Sequence, residues 1–329
     1  MRRAYIFLGC GLAAACLAGF AGCGGGDNTT DAGSDATTSD VVSDSPVSSD
    51  ASDAGASCDW SKPFGAPVAV SELNVGGDSA QSARLSVDGL TVYFTRVAAD
   101  GGLGDIYTAT RTSTTQPFGI PVALQGPNGA STHEATPTVT ADQLTLYFFS
   151  TAAASPDIYV STRGSTSSAF SAGSAVPAIT TWLAENGPYV LSDHSALYFS
   201  AARDPDGGVS DAGAITVRVF RSPVVNGSVG APVEIGLQGV AFSPVVAPNE
   251  LTIYFSSNRQ GSVGNSDIWV AQRATKNDSF GTPTNVSSLN VANATQQPNF
   301  VTADGCTMYF HSNRADPNVI VVYRADRVP

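Results

Sequence analysis

The chain has 329 residues, a formal net charge of −12, 42% hydrophobic residues and only 13% charged ones. That apolar content is enough for a large globular core, while the acidic balance excludes the basic surface that nucleic-acid binding requires. No nucleophile elbow, phosphate loop or dinucleotide fingerprint occurs, so no cofactor is expected.

The N-terminal segment departs from the rest. Arg2 and Arg3 precede an uncharged, Ala/Gly-rich run from Tyr5 to Gly22, which reads as a signal peptide over residues 1–22. Its end, Phe20-Ala21-Gly22-Cys23, resembles a bacterial lipobox, which implies diacylation of Cys23 before cleavage. Gly24 rather than Asp follows that cysteine, and the same resemblance then implies the outer membrane. A permanent transmembrane anchor and an ordinary secretory leader are the competing readings. Residues 23–57 are rich in Ser, Thr, Asp and Ala, too polar to bury a core, and read as a disordered tether.

From residue 58 the sequence repeats. Tyr-Phe follows an alternating stretch at Tyr93-Phe94, Tyr147-Phe148, Tyr198-Phe199, Tyr254-Phe255 and Tyr309-Phe310, with spacings of 54, 51, 56 and 55 residues. Each copy has a short apolar strand, a polar turn such as Asp88-Gly89 or Asp304-Gly305, and the alternating strand. In copies one, two and four a third strand carries Asp-Ile-Tyr or Asp-Ile-Trp, and in the first four copies a final segment resembles Phe118-Gly-Ile-Pro-Val. Four short strands rich in β-branched and aromatic residues, with no helical period between them, make a propeller blade. The expected fold is therefore all-β, a five-bladed β-propeller over residues 58–329.

The ring is expected to close through the N-terminal strand. The fifth copy lacks a fourth strand, and Phe64-Gly65-Ala66-Pro67-Val68 stands before the first copy without a blade of its own. Cys10 and Cys16 leave with the signal peptide and Cys23 carries lipid, so Cys58 and Cys306 remain for an oxidising compartment. Both fall on the closing blade, which predicts a Cys58–Cys306 disulfide against the alternative of two free thiols.

The units resemble the PD40, or WD40-like, repeats of the TolB type. The residues that carry the resemblance are Ser86-Val-Asp-Gly-Leu-Thr-Val-Tyr-Phe, Phe255-Ser-Ser-Asn-Arg with Ser266-Asp-Ile-Trp, and Thr302-Ala-Asp-Gly-Cys-Thr-Met-Tyr-Phe-His-Ser-Asn-Arg. The resemblance covers about residues 62–329 and implies a scaffold that binds proteins or ligands, without implying one activity.

Ligands of propellers usually meet the strands lining the central channel. Aligned on Pro137, Pro188, Pro244 and Pro298, the position three residues earlier holds Glu134, Glu185, Ala241 and Thr295; Arg84 replaces the proline in blade one, which adds Gln81. Glu134 and Glu185 are then expected near each other at one channel mouth, with His133 and Asn186 beside them. Two such carboxylates would suit glycoside hydrolysis, while the repeated Asp105, Asp157 and Asp267 read as structural devices. The histidines, His133, His194 and His311, fall in different blades without zinc-ligand spacing. Asp204, Asp206 and Asp211 match a calcium loop too poorly, so no metal site is expected. The leading reading is a non-enzymatic cell-envelope lipoprotein, a monomer, that binds an envelope protein or glycan and meets the membrane through Cys23. The alternative is a glycosidase-like enzyme with carboxylates at the channel mouth.

Overall fold

The computed structural model describes residues 58–153, 156–180, 184–203 and 216–328. The signal peptide, the lipidation of Cys23, the tether and the Asp204–Asp211 loop all lie outside the described residues. The propeller has five antiparallel sheets, one per sequence repeat. Their innermost strands are Ser79–Leu85, Glu134–Val139, Glu185–Val190, Phe242–Val246 and Gln296–Val301. The second and third strands follow in order, and two-residue fourth strands form the outer edges of blades one to four. Blade five takes its outer strand from the N-terminal side, where Val68 pairs with Arg324 and Ala69 with Tyr323. A further bridge joins Phe64 to Arg327. The ring closure legible in the sequence is the one observed.

The Tyr-Phe repeat explains the packing between blades. Period-two alternation points Tyr and Phe to opposite faces of a sheet, and in a propeller both faces are covered by neighbours. Tyr93 and Ile106 of blade one share a core cluster with Leu146, Phe148 and Phe170 of blade two. Tyr147 and Ile158 of blade two likewise join Val190, Leu197 and Phe199 of blade three. Each tyrosine therefore faces the next blade, and each phenylalanine the previous one.

The tyrosine hydroxyl needs a buried partner, and for Tyr93, Tyr147 and Tyr198 the next blade's turn supplies it. The turns place Gly89, Gln143, His194, Glu250 and Gly305 at positive φ, between 56° and 69°. Glycine is the natural residue there, and other side chains are strained. Three turns keep a side chain because it reaches the neighbouring tyrosine. Tyr93 Oη donates to Gln143 Oε1 at 3.0 Å, Tyr147 Oη lies 3.0 Å from His194 Nε2, and Tyr198 Oη donates to Glu250.

The recurrent arginine is also structural. Arg111, Arg163, Arg273 and Arg327 donate through Nε to the carbonyls of Gly89, Gln143, Glu250 and Gly305 at 2.7–2.9 Å. Each guanidinium lies over an outer-segment ring, Phe118, Phe170, Phe280 and Phe64, at 4.2–4.4 Å. Phe64 thus plays in blade five the part of Phe118 in blade one. Asp267 accepts from the amides of Val263 and Gly264 and from Asn285 Nδ2.

Cys58 and Cys306 are joined by a disulfide, with their Cα atoms 5.5 Å apart and a sequence separation of 248. Beside it, a Cβ at Gly305 would overlap the Trp60 ring, so this glycine is required by space as well as by φ. Removing the bond in a Cys58→Ser/Cys306→Ser double variant is expected to cost at most about 5 kcal/mol, the chain-entropy value for so long a loop. Urea unfolding with and without reductant measures it; equal midpoints for wild type in both conditions would refute the stabilising role.

Candidate functional site

The inner strands run along the central channel, each interrupted by a bulge. Ser82, Thr136, Gly187 and Ser243 occupy the first bulge position with φ of 51–61°, and Pro298 fills it in blade five. A bulge residue leaves the ladder, so proline is tolerated at either of its two positions. That freedom shifts the alignment made on proline. Counted from the Tyr-Phe pair, Glu134 faces Ser150, Glu185 faces Ala201, Gln296 faces Ser312 and Ala80 faces Arg96. The positions equivalent to Glu134 in blades one and five are therefore Ala80 and Gln296, not Gln81 and Thr295. Gln81 faces Thr95 and Asn186 faces Ser200, so these two share the next level inward.

The carboxylates sit in seams between blades. Glu134 is buried; its Oε1 accepts from Ser150 Oγ at 2.8 Å and its Oε2 from the Gly129 amide at 3.0 Å. Glu185 is also buried and contacts Asp157 of the preceding blade, whose pKa burial pushes up while Glu185 pulls it down. His133 Nδ1 accepts from the Gly104 amide of blade one at 2.7 Å, and burial lowers its pKa against the pull of Glu134. Asn186 Oδ1 accepts from Thr136 Oγ1 at 3.3 Å. The space immediately inside, ringed by Ser82, Thr136, Gly187, Ser243 and Pro298, holds about 10 Å³, the room of a single water. Because the two glutamates serve structural bonds, a Glu134→Gln/Glu185→Gln variant is expected to lower the melting temperature. Its ligand affinity should stay that of wild type, and a loss of affinity with unchanged melting would reverse this assignment.

The larger cavity opens at the other end of the channel, on the face carrying the turns between first and second strands. It measures about 520 Å³, within the range of small-molecule sites. Its lining combines hydroxyls, among them Ser86, Thr140, Ser192 and Thr302, with the aromatic residues Tyr189, Phe300 and Tyr309. Asp88 and Asp304 stand in this lining, but both are tied into their own turns. Asp88 Oδ1 accepts from the Leu90 amide and Ser86 Oγ, and Asp304 Oδ1 from the Cys306 amide and Thr302 Oγ1.

Arg84 separates the two spaces and lines both. It is 7% exposed. Its guanidinium donates to the carbonyls of Asn299, Pro188 and Pro244, so one side chain from blade one reaches blades five, three and four. The Tyr189 ring lies 4.1 Å from Cζ. Burial lowers the Arg84 pKa to about 10, with the Tyr189 hydroxyl pulling the other way. Next to it, His311 Nδ1 accepts from the Ser82 amide at 3.1 Å and lies 2.9 Å from Asn299 Nδ2. Burial, with Arg84 adding, pushes the imidazole down to about 3. In the sequence Arg84 marks only the missing proline of blade one, and His311 only a histidine without zinc-ligand spacing. The available signal was a charge in Ala83-Arg84-Leu85, where the equivalent positions hold Thr138, Tyr189, Val245 and Phe300. Among the described residues no group of His, Cys, Asp and Glu is arranged to hold a metal.

No family model matches the chain, and no curated protein matches it. Solved structures do. The chain is similar to TolB from Acinetobacter baumannii at 16% identity, over 76% of this chain and 54% of that one, with a TM-score of 0.41. It is similar to an α-L-arabinofuranosidase from Podospora anserina, solved in complex with cellotriose, at 11% identity over 82% and 97% of the two chains, with a TM-score of 0.51. A family-62 glycoside hydrolase in complex with xylotriose gives 11% identity over 81% and 97%, with a TM-score of 0.50. At these identities the likeness is one of fold alone.

Proposed function

We propose that this chain is an exported, lipid-anchored binding protein of the cell envelope, held at the outer membrane through Cys23, whose propeller takes up a glycan without cleaving it. The observation that carries the reading is the cavity on the turn face. A volume of about 520 Å³ bordered by hydroxyl-bearing side chains and by the aromatic residues Tyr189, Phe300 and Tyr309 suits sugar rings, which present hydroxyls around an apolar face. Hydrolysis by the usual route needs an acid and a second carboxylate flanking one bond. The carboxylates of this lining hold turns together, and Glu134 and Glu185 are buried in blade seams away from it.

The test is a glycan array probed with the full chain, with reducing sugar assayed in the same samples. Saturable glycan capture without sugar release supports the proposal. Released sugar that disappears in Glu134→Gln would replace it with the glycosidase reading, and capture of an envelope protein with no glycan signal would replace it with a protein scaffold.

A further inference from the structure

The glycan-binding reading leaves the chemistry of the sugar open, and Arg84 narrows it. The charged groups lining the cavity are three arginines and two aspartates. Arg111 is engaged with the Gly89 carbonyl and the Phe118 ring. Arg324 pairs with Asp326 at 3.0 Å. Asp88 and Asp304 are held in their turns. Arg84 differs in its burial: it lies at the cavity floor, its partners are backbone carbonyls and the ring and hydroxyl of Tyr189, and no carboxylate pairs with it among the described residues. Carbonyl dipoles and a π face offer partial negative charge only, and a desolvated cation interacts far more strongly with a full one. The opposing level of the ring is neutral, so nothing else there competes for an incoming anion.

We infer that the cavity selects an acidic sugar, one bearing a single carboxylate that is directed down to Arg84 while its ring lies among the hydroxyls and aromatic faces above. The inference rests on the glycan-binding reading. A single charge is favoured because one cation waits at the floor while Asp88 and Asp304 stand nearer the turns, where they repel an anion carrying several charges. A carboxylate gains a charge-assisted contact with the buried guanidinium that a neutral hydroxyl does not. The carboxylate can come from a uronic acid or from a lactyl ether on an amino sugar, and the chemistry at Arg84 is the same.

Isothermal titration of the full chain at pH 7 with matched pairs tests this: glucuronate against glucose, and N-acetylmuramate against N-acetylglucosamine. At least one acid is expected to bind roughly tenfold tighter than its neutral partner, the size of one charge-assisted pair, and which acid does so identifies the source. Arg84→Met should abolish that preference and Arg84→Lys should retain part of it. The ligand pairs need no variant, so a poorly folded Arg84→Met leaves the test intact. Equal binding of acid and neutral sugars overturns this inference and leaves the glycan-binding reading standing; no binding of any sugar overturns both.

Discussion

Lowering the pH from 7 to 5 is expected to cost the folded protein about 2 kcal/mol through His311 alone, and about 4 kcal/mol once the pH reaches 3. The imidazole is buried, and its Nδ1 faces two donors, the Ser82 amide and Asn299 Nδ2. A proton at Nδ1 would set donor against donor, beside the Arg84 cation. Burial first and Arg84 second hold the folded pKa at about 3, against 6.5 for the free side chain. The unfolded chain takes up the proton below pH 6.5 and the folded chain does not, so stability present above 6.5 is lost as the pH falls toward 3. Urea unfolding of wild type and His311→Gln at pH 7 and 5 measures the effect. The variant keeps an acceptor and cannot titrate, so it should lose at least about 1 kcal/mol less than wild type over that interval. Equal losses would remove His311 as the source. His133 and His194 are also shifted down by burial, with acidic neighbours opposing, so some acid dependence survives in the variant.

The second large effect is at Glu250, in the turn of blade four. Its carboxylate is buried and receives Arg221 Nε at 2.8 Å, Lys276 Nζ at 3.1 Å and the Tyr198 hydroxyl, with Arg273 at 4.0 Å. Tyr198 and Arg221 belong to blade three, Arg273 and Lys276 to blade four, so this carboxylate clamps the seam between them. Burial alone raises its pKa, but hydrogen bonds from Arg221, Tyr198 and Lys276 outweigh burial and hold it at about 2 against an ordinary 4.5. The corresponding stabilisation, about 3 kcal/mol, is present above pH 4.5 and is lost as the pH falls toward 2. Glu250→Gln should cost about that much at pH 7 and about 1 kcal/mol at pH 3. A cost independent of pH would mean that the side chain acts through packing rather than charge.

Much of the architecture is legible in the residues because propellers repeat. Tyr-Phe recurs five times because both faces of every blade meet a neighbour, and a repeat that buries two faces leaves a strong periodic trace. The missing fourth strand of the last copy and the orphan Phe64-Gly65 segment are local facts, and so is the pairing of Cys58 with Cys306 once both are placed on one blade. The site was legible only in part. Proline marked the inner strands, but it stands at the second bulge position in Pro137 and the first in Pro298, so an alignment on proline slips by one residue in blade five. Glu134 and Glu185 fall on equivalent positions, yet the surroundings of each come partly from the start of the preceding blade's third strand, more than twenty residues away: Asp105 acts on Glu134, and Asp157 bonds Glu185.

Period, strand count and ring closure follow from local chemistry, since alternation and turn residues act over a few positions along the chain. The channel is different. Arg84 meets the carbonyls of residues 104, 160 and 215 positions away, and the cavity above it exists only where five inner strands converge. Such a cavity is a property of the closed ring: its parts come from every blade, none of them carries a motif, and the desolvation of Arg84 begins when the last strand is in place.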